Sequence, residues 1–550
     1  MKTNVSLCIA AALMVAACGD PSHRHNSGEK VSVINSTPDE VTPDEVIEED
    51  VEITSNEAAL MEPSANATSK MILSSPPQQR NAETYKEIKE NSFVAVAQQP
   101  VTTFSADVDR AAYANVRRII GYGKIPPKDA VRIEEMVNYF DYDYPAPEEG
   151  SASPLRVSPE LAPAPWNPNH LLLRIGLQAK KIDLAKAPPS NIVFLIDVSG
   201  SMDEENKLPL LQSSFKMLLG QLRPDDKVAI VTYANGTKVA LPSTSVKDKE
   251  KIIKVLDNLY ASGGTSGGKG IQLAYEQAQK SFIKNGNNRI ILATDGDFNI
   301  GINNTTDLEK FIEKQRESGI YMSVLGFGMG NYRDDMAETI ADKGNGNYAY
   351  IDNITEAKKV LVNELSGTLF AVAKDVKLQL EFNPKYVKEY KLIGYENRML
   401  ANEDFTNDKK DAGEIGAGHT VTALYELVPS DGKVAQSLRY QSQELNEKGK
   451  GNELGFLKIR YKDPKVKDAK SVEITEPLVF NKKALKETST DYRFAASVAE
   501  FGILLRDNSN KANATYDQVI ELAEGAIGKD PEGYRKEFVR LVKSVKMLPK

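Results

Sequence analysis

Between residues 190 and 370, short apolar runs alternate with longer segments of helical periodicity. The runs that predict strands are nearly all apolar, as is typical of parallel strands covered on both faces, and they lie at residues 192–196, 228–233, 289–293 and 321–325. Helical patterns lie between and after them, at residues 208–222, 247–259, 270–283, 307–318, 333–342 and 355–370. The alternation predicts a doubly wound α/β domain with a mostly parallel sheet over residues 190–370.

The pattern changes after this domain. Over residues 371–484, segments such as 376–382 and 454–461 alternate apolar with polar positions, which predicts half-buried antiparallel strands. We expect a β-sandwich against the α/β domain, completed by strands such as 171–177 from an amino-terminal flanking domain at 85–189. The apolar periodicity of residues 485–550 predicts a helical region, in which Ser489 or Thr490 can cap the first helix. Its apolar stripe consists of Phe494, Val498, Phe501 and Leu505.

The amino terminus predicts export and then anchoring. Lys2 precedes an apolar run at 5–17, shorter than the ~20 residues that a membrane helix needs but typical of a secretory signal. The run ends in Val-Ala-Ala-Cys18, which resembles a bacterial lipobox and implies a signal peptide at 1–18 and acylation of Cys18. Acyl chains would hold the protein on a membrane. Since Gly19, not aspartate, follows the cysteine, the resemblance favours the outer membrane of the bacterial cell envelope. The alternative is a simple signal peptide with a chance cysteine.

Residues 19–84 show no apolar periodicity and are rich in Pro, Ser, Thr, Asn and acidic residues. They include the tandem Thr-Pro-Asp-Glu-Val at 37–41 and 42–46. This composition predicts a disordered acidic tether between the anchor and the folded part.

The net charge and the cysteine content exclude some kinds of binding partner and some kinds of metal site. The chain has 550 residues and a formal net charge of -8, which argues against nucleic acid as a partner because phosphate binding needs a basic face. Its two cysteines, Cys8 and Cys18, lie at the amino terminus. The folded part therefore has neither a disulfide framework nor a thiolate metal site.

Oxygen-bearing side chains follow two of the predicted strands. The first strand runs into Asp197, Ser199 and Ser201, and the third runs into Asp295. A glycine-rich loop at 262–268 adds the hydroxyl of Thr265. Ligands of such sheets bind at the carboxyl ends of the strands, so these side chains are candidates to converge there. An all-oxygen set suits Mg²⁺, Mn²⁺ or Ca²⁺ better than zinc or copper.

The order of these five residues resembles the metal-ion-dependent adhesion site of von Willebrand factor type A (VWA) domains. The resemblance implies that Ser199 and Ser201 coordinate the metal directly, and that Asp197, Thr265 and Asp295 do so directly or through water. It also implies a divalent cation, with Mg²⁺ favoured, that accepts a carboxylate from an Asp or Glu of a protein partner. The expected function is membrane-anchored binding or adhesion, without catalysis.

The resemblance extends to bacterial lipoproteins that carry VWA domains. It rests on segments at both ends of the folded part, namely residues 103–109, 115–118, 131–145, 491–501, 514–518 and 532–535. These segments resemble the amino-terminal flanking and carboxy-terminal regions of that family.

Other readings of the glycine-rich segments are weaker. Residues 263–269 nearly match a phosphate-binding loop, but Gly270 replaces the Ser or Thr that holds Mg²⁺, which argues against nucleotide binding. Residues 264–268 fit the Gly-x-Ser-x-Gly motif of a nucleophile elbow, but no predicted strand precedes them as that motif requires. The glycines of 326–330 are too closely spaced for a dinucleotide fingerprint.

Two alternatives for the function stay open. One is a metal-dependent hydrolase using Asp203 or Asp297 as base, and the other is a scaffold of an envelope complex that needs no metal.

Overall fold

The computed structural model describes residues 83–107, 109–264, 267–296, 305–431, 451–466, 469–507 and 511–549. The predicted signal peptide, Cys18 and the predicted tether up to residue 82 lie outside these residues, as do Thr265 and Asp297. Across the ranges that the structure describes, no helix combines the length and apolar character needed to cross a membrane.

The strands are numbered in chain order. They are β1 Val94–Ala95, β2 Val101–Ser105, β3 Leu155–Ala164, β4 Asn167–Ala179, β5 Ser190–Asp197, β6 Lys227–Tyr233, β7 Thr237–Ser245, β8 Asn287–Thr294, β9 Ile320–Gly326, β10 Tyr348–Tyr350, β11 Ala371–Phe382, β12 Val387–Ile393, β13 Gly413–Gly416, β14 Thr420–Pro429, β15 Glu453–Lys462 and β16 Val472–Val479.

The α-helices are numbered in the same way. They are α1 Ala111–Gly121, α2 Ile133–Asn138, α3 Leu208–Gln221, α4 Lys249–Asp257, α5 Gly267–Lys280, α6 Thr305–Arg316, α7 Asp334–Lys343, α8 Ile354–Lys358, α9 Leu365–Leu369, α10 Thr490–Leu505, α11 Tyr516–Glu524 and α12 Tyr534–Met547.

The central sheet has the order β10-β9-β8-β5-β6-β7. Its neighbours are parallel except β7, which runs antiparallel to β6 at one edge. The predicted doubly wound α/β fold with a mostly parallel sheet is therefore confirmed. The edge strands β7 and β10 were not predicted, because β7 mixes polar with apolar residues and β10 spans only three residues.

Successive residues of β5 point to opposite faces of this sheet, so each face has its own core. Phe194 packs towards α3 and α4, whereas Val193 and Leu195 pack towards α5, α6 and α7. The predicted helix at 355–370 is interrupted: α8 passes into a π-helical turn at Lys359–Asn363 before α9 begins. This π-helical turn is wider than an α-helical turn and lies in the last helical segment of the α/β domain.

The flanking sheets form a β-sandwich whose strands come from both sides of the α/β domain. One sheet has the order β1-β12-β14-β4-β3, and the other joins β13, β11, β15 and β16, with β2 also paired to β11. Strand β4 contains the predicted strand 171–177 and pairs with β14, where Leu173 faces Tyr425. The segments predicted as separate domains at 85–189 and 371–484 thus share sheets and one apolar core.

The carboxy-terminal helices α10, α11 and α12 pack on α1 and α2 around a core that includes Trp166. Residues of the predicted stripe are buried in this core, among them Phe494, Val498 and Phe501. The Oγ of Ser489 accepts a hydrogen bond from the backbone N–H of Tyr492 at 3.0 Å, which caps α10.

Candidate metal centre

Two carboxylates meet at the carboxyl edge of the central sheet. Asp197 is the last residue of β5, and Asp295 directly follows β8. These strands are parallel neighbours in which Ile196 faces Ala293, so their ends place both side chains at the same point of the edge. Both aspartates are fully buried. Burying two acidic groups side by side is costly unless a cation or hydrogen bonds compensate them.

The loop after β5 adds two hydroxyl groups. The backbone N–H of Ser199 donates to Oδ1 of Asp197 at 2.9 Å, which turns the loop back over the strand end. A 3₁₀ turn at Gly200–Met202 follows, and it brings the Oγ atoms of Ser199 and Ser201 to 3.0 Å from each other. The structure therefore brings together four of the five predicted ligands: Asp197, Ser199, Ser201 and Asp295.

The fifth predicted ligand, Thr265, lies outside the described residues, but the loop leading to it is placed beside the site. The N–H of Gly200 donates to the carbonyl of Gly263 at 2.9 Å, and the N–H of Ser262 donates to the carbonyl of Val198 at 2.8 Å. Gly263 has φ +79°, a left-handed conformation that favours glycine. The assignment of Thr265 stays a prediction.

Burial changes the acid–base behaviour of the site. Burial raises the pKa of Asp197 to about 7, hydrogen bonds from Ser199 oppose that rise, and the charge of Asp295 adds to it. A hard divalent cation prefers carboxylate and hydroxyl oxygens and would favour the ionised form of Asp197. The donor set therefore fits the group that the sequence predicts.

Sequence reasoning missed a lysine in this site. Lys207 is 3% exposed, and its Nζ donates to the carbonyl of Ser201 at 2.8 Å and to Oδ2 of Asp295 at 3.2 Å. Glu204, at 3.3 Å from the same Nζ, is largely exposed. The only sequence signal is a lysine six residues after Ser201, directly before α3. Periodicity does not distinguish it from a surface lysine.

The glycines at 326–330 have a packing role. A Cβ on Gly328 would lie 2.3 Å from Cε of Lys207, and one on Gly326 would lie 1.8 Å from the hydroxyl of Tyr332. Gly328 also has φ +75°. The loop after β9 thus needs glycine so that Lys207 can pass beneath it to Asp295.

A second group of carboxylates, away from this edge, surrounds two arginines. Arg398 reaches Asp109 at 2.8 Å and Asp342 at 2.6 Å, and Arg132 reaches Asp334 at 2.5 Å. The carboxylates gathered there are Asp107, Asp109, Glu135, Asp334, Glu338 and Asp342. Because the guanidinium groups lie among them, we interpret this group as a buried ionic joint between α7 and the sandwich.

Arg117 of α1 joins the last helical segment of the α/β domain to the carboxy-terminal helices. Its guanidinium contacts Asp352 at 2.5 Å, Glu356 of α8 at 2.7 Å and Glu537 of α12 at 2.9 Å. Glu356 of α8 and Glu537 of α12 therefore share one guanidinium group.

This fold, with carboxylates and hydroxyls at the carboxyl edge of its sheet, defines a protein with a VWA domain. The family model for the von Willebrand factor type A domain matches residues 191–363, a model described as von Willebrand factor matches 79–174, and one described as uncharacterized protein YfbK, C-terminal, matches 367–548. The uncharacterized protein YfbK of Escherichia coli is 48% identical over 465 residues, covering 83% of this chain and 80% of that protein. The chain belongs to the YfbK family.

More distant proteins also match parts of the chain. The uncharacterized protein sll0103 of Synechocystis is 26% identical over 326 residues, covering 59% of this chain and 74% of that protein. Among solved structures, the von Willebrand factor type A protein from Catenulispora acidiphila is 15% identical and covers 70% of this chain and 89% of its own, with a TM-score of 0.39. The ArnB paralog VWA2 from Sulfolobus acidocaldarius is 16% identical and covers 72% of this chain and 98% of its own, with a TM-score of 0.34.

Proposed function

We propose that this protein is a binding protein of the bacterial cell envelope that recognises a protein partner through a divalent cation. The observation that carries the proposal is the convergence of Asp197, Ser199, Ser201 and Asp295 at one edge of the sheet. Mg²⁺ is the favoured ion, with Mn²⁺ or Ca²⁺ as substitutes, and Thr265 completes the proposed ligand set.

The bound cation would supply a positively charged docking point. The proposed direct ligands are mostly neutral hydroxyls, so the ion keeps part of its charge and prefers an anionic oxygen to water. An Asp or Glu on the partner provides such an oxygen. A carboxylate held in this way is desolvated and rigidly placed, which makes it a hot spot of the interface.

Membrane attachment belongs to the same proposal. Acylation at Cys18 would anchor the protein, with outer-membrane placement inferred from the residue that follows the cysteine. The 48% identical relative is also bacterial.

A metal-independent scaffold is the second candidate. It is favoured by one observation: the ammonium of Lys207 already gives Asp295 a positive partner. Catalysis has less support, because Asp203, one of the two carboxylates considered as a base, is exposed to solvent. We therefore propose binding and assign no reaction.

The test is a pull-down from solubilised envelopes, run in parallel with Mg²⁺ and with EDTA. We expect a partner that is retained with Mg²⁺ and lost with EDTA, and lost also with Ser199→Ala combined with Ser201→Ala. Ser213→Ala is the matched control, because Ser213 is an exposed serine of α3 that bonds only the carbonyl of Pro209 in the described structure. Binding that survives both EDTA and the double substitution would favour the scaffold.

A further inference from the structure

Lys207 is a buried ammonium at the edge of the candidate metal centre. Removing a lysine charge from water costs several kcal/mol unless close partners compensate it. Among the residues that the structure describes, its Nζ has two buried partners, the carbonyl of Ser201 at 2.8 Å and Oδ2 of Asp295 at 3.2 Å. Both partners belong to residues of the proposed ligand set. The ammonium therefore lies next to the position where a divalent cation would bind.

The surrounding fold holds this lysine in place. Lys207 immediately precedes α3, and its backbone carbonyl accepts from Leu211 at 2.8 Å, which fixes the start of its side chain. Its stem passes under Gly328, where any Cβ would collide with it. Glu204 is 55% exposed at its side chain, so solvent screens its pairing with Lys207 and Asp295 remains the main counter-charge.

We propose that Lys207 sets the charge of the metal site by neutralising Asp295. The inference rests on the proposed function, since it assumes that a divalent cation binds here. With Asp295 compensated, Asp197 is the uncompensated carboxylate that the described part of the site offers, and the cation keeps a net positive charge. Lys207 thus lowers the affinity for the metal and raises the affinity of the bound metal for an external carboxylate.

This division of charge explains how a site with two buried aspartates remains able to bind a third acidic group. If both aspartates were uncompensated, the charges of a divalent cation and its ligands would cancel, and a partner carboxylate would gain little over water. The fixed ammonium group of Lys207 prevents this cancellation of charge, and it does not itself coordinate the metal. The specificity of the site for acidic partners then depends on Lys207.

The first measurement is the calorimetric titration of Mn²⁺ and of Mg²⁺ into the protein. Lys207→Met keeps most of the alkyl stem and removes the charge, and Lys207→Gln keeps a neutral donor for Ser201 if the methionine variant does not fold. We expect either variant to bind metal about tenfold more tightly than the wild type, as the loss of one nearby positive charge predicts. Lys207→Arg should stay near wild-type affinity. Lys216→Met, at a partly exposed lysine of the same helix that pairs with Asp257, is the matched control.

Two comparisons separate this inference from the function on which it rests. In the Asp295→Asn background, Lys207→Met should tighten metal binding less than it does in the wild type, because Nζ no longer competes with the metal for Oδ2 of Asp295. A wild type that binds metal, with Lys207→Met and Lys207→Gln folded but no tighter, would overturn the inference alone. A wild type that binds neither Mn²⁺ nor Mg²⁺ would overturn the proposed function as well.

The second measurement tests the external carboxylate with acetate as the probe. Acetate that reaches the bound Mn²⁺ displaces water and lowers the relaxation rate of the water protons. We expect half of this effect at a several-fold lower acetate concentration in the wild type than in Lys207→Met. Equal acetate dependence in the two proteins would overturn the claim that Lys207 prepares the metal for an acidic partner.

Discussion

Glu500 of α10 is an acidic side chain enclosed in the carboxy-terminal helical core. It is fully buried, and within the described ranges neither carboxyl oxygen has a hydrogen-bond partner of good geometry. Burial raises the pKa of Glu500 from 4.5 to about 8, and the backbone of Thr515 opposes this only in part. The folded protein therefore keeps Glu500 protonated at neutral pH, whereas the unfolded chain ionises it.

The magnitude follows from the linkage between protons and folding. Because the pKa is higher in the folded state, the free energy of unfolding is greatest below pH 4.5 and falls as the pH rises towards 8, by about 1.4 kcal/mol per pH unit. Between pH 4.5 and pH 7 the loss is about 3 kcal/mol. Glu500→Gln cannot ionise, so we expect it to remove this part of the pH dependence and to be more stable than the wild type by about that amount at pH 7.

Urea unfolding at pH 5, 6, 7 and 8 provides the assay. The only tryptophan of the chain, Trp166, lies in the same core as α10, so its fluorescence reports on the relevant part of the molecule. Glu521→Gln, at an exposed carboxylate of the neighbouring helix α11, is the control and should follow the wild type. If the curves of Glu500→Gln and the wild type run parallel across this pH range, Glu500 is not protonated in the folded state and the reasoning fails.

Three further predictions concern the metal, the last helical segment and the anchor. Mg²⁺ at about 100 times its dissociation constant should stabilise the wild type by about 2.7 kcal/mol, and Asp197→Ala should abolish this stabilisation in a thermal melt; an equal effect of Mg²⁺ on both would remove Asp197 from the ligand set. Hydrogen exchange over residues 354–369 should change when Mg²⁺ binds, because α8 packs on α3, which begins directly after Lys207 of the site; unchanged exchange would indicate that this segment does not respond to the metal. Cys18→Ser should move the protein to the soluble fraction of cells, and membrane association equal to that of the wild type would argue against the lipid anchor.

Local pattern predicted much of the α/β domain. Runs of apolar residues are long enough in β5, β6, β8 and β9 to indicate buried parallel strands, and the helices between them have clear periodicity. Because parallel strands place their carboxyl ends at one edge, the positions of Asp197 and Asp295 after two strands made them candidates to meet there. This inference needed no tertiary information beyond the fold class.

The placement of buried charges depended on the tertiary structure. Lys207 reaches Asp295 across 88 residues of sequence, and Arg117 reaches Glu537 across 420. A lysine or arginine in these positions has the same local pattern as one on a solvated helix face, so its partner cannot be read from the neighbouring residues.

The sequence by itself therefore determined the fold class of the central domain, the edge of the sheet that carries the candidate site, and four oxygen-bearing residues that meet there. Tertiary structure decided which strands pair within the sandwich, that Lys207 compensates Asp295, and that the carboxyl group of Glu500 is buried in the carboxy-terminal core. The physical reason is the distance along the sequence over which each signal acts. Hydrophobic periodicity is a local signal, which shows over a few residues which face of a helix or strand is buried. Strand pairing and charge compensation are set by contacts between segments that lie from tens to hundreds of residues apart, which only the folded chain brings together.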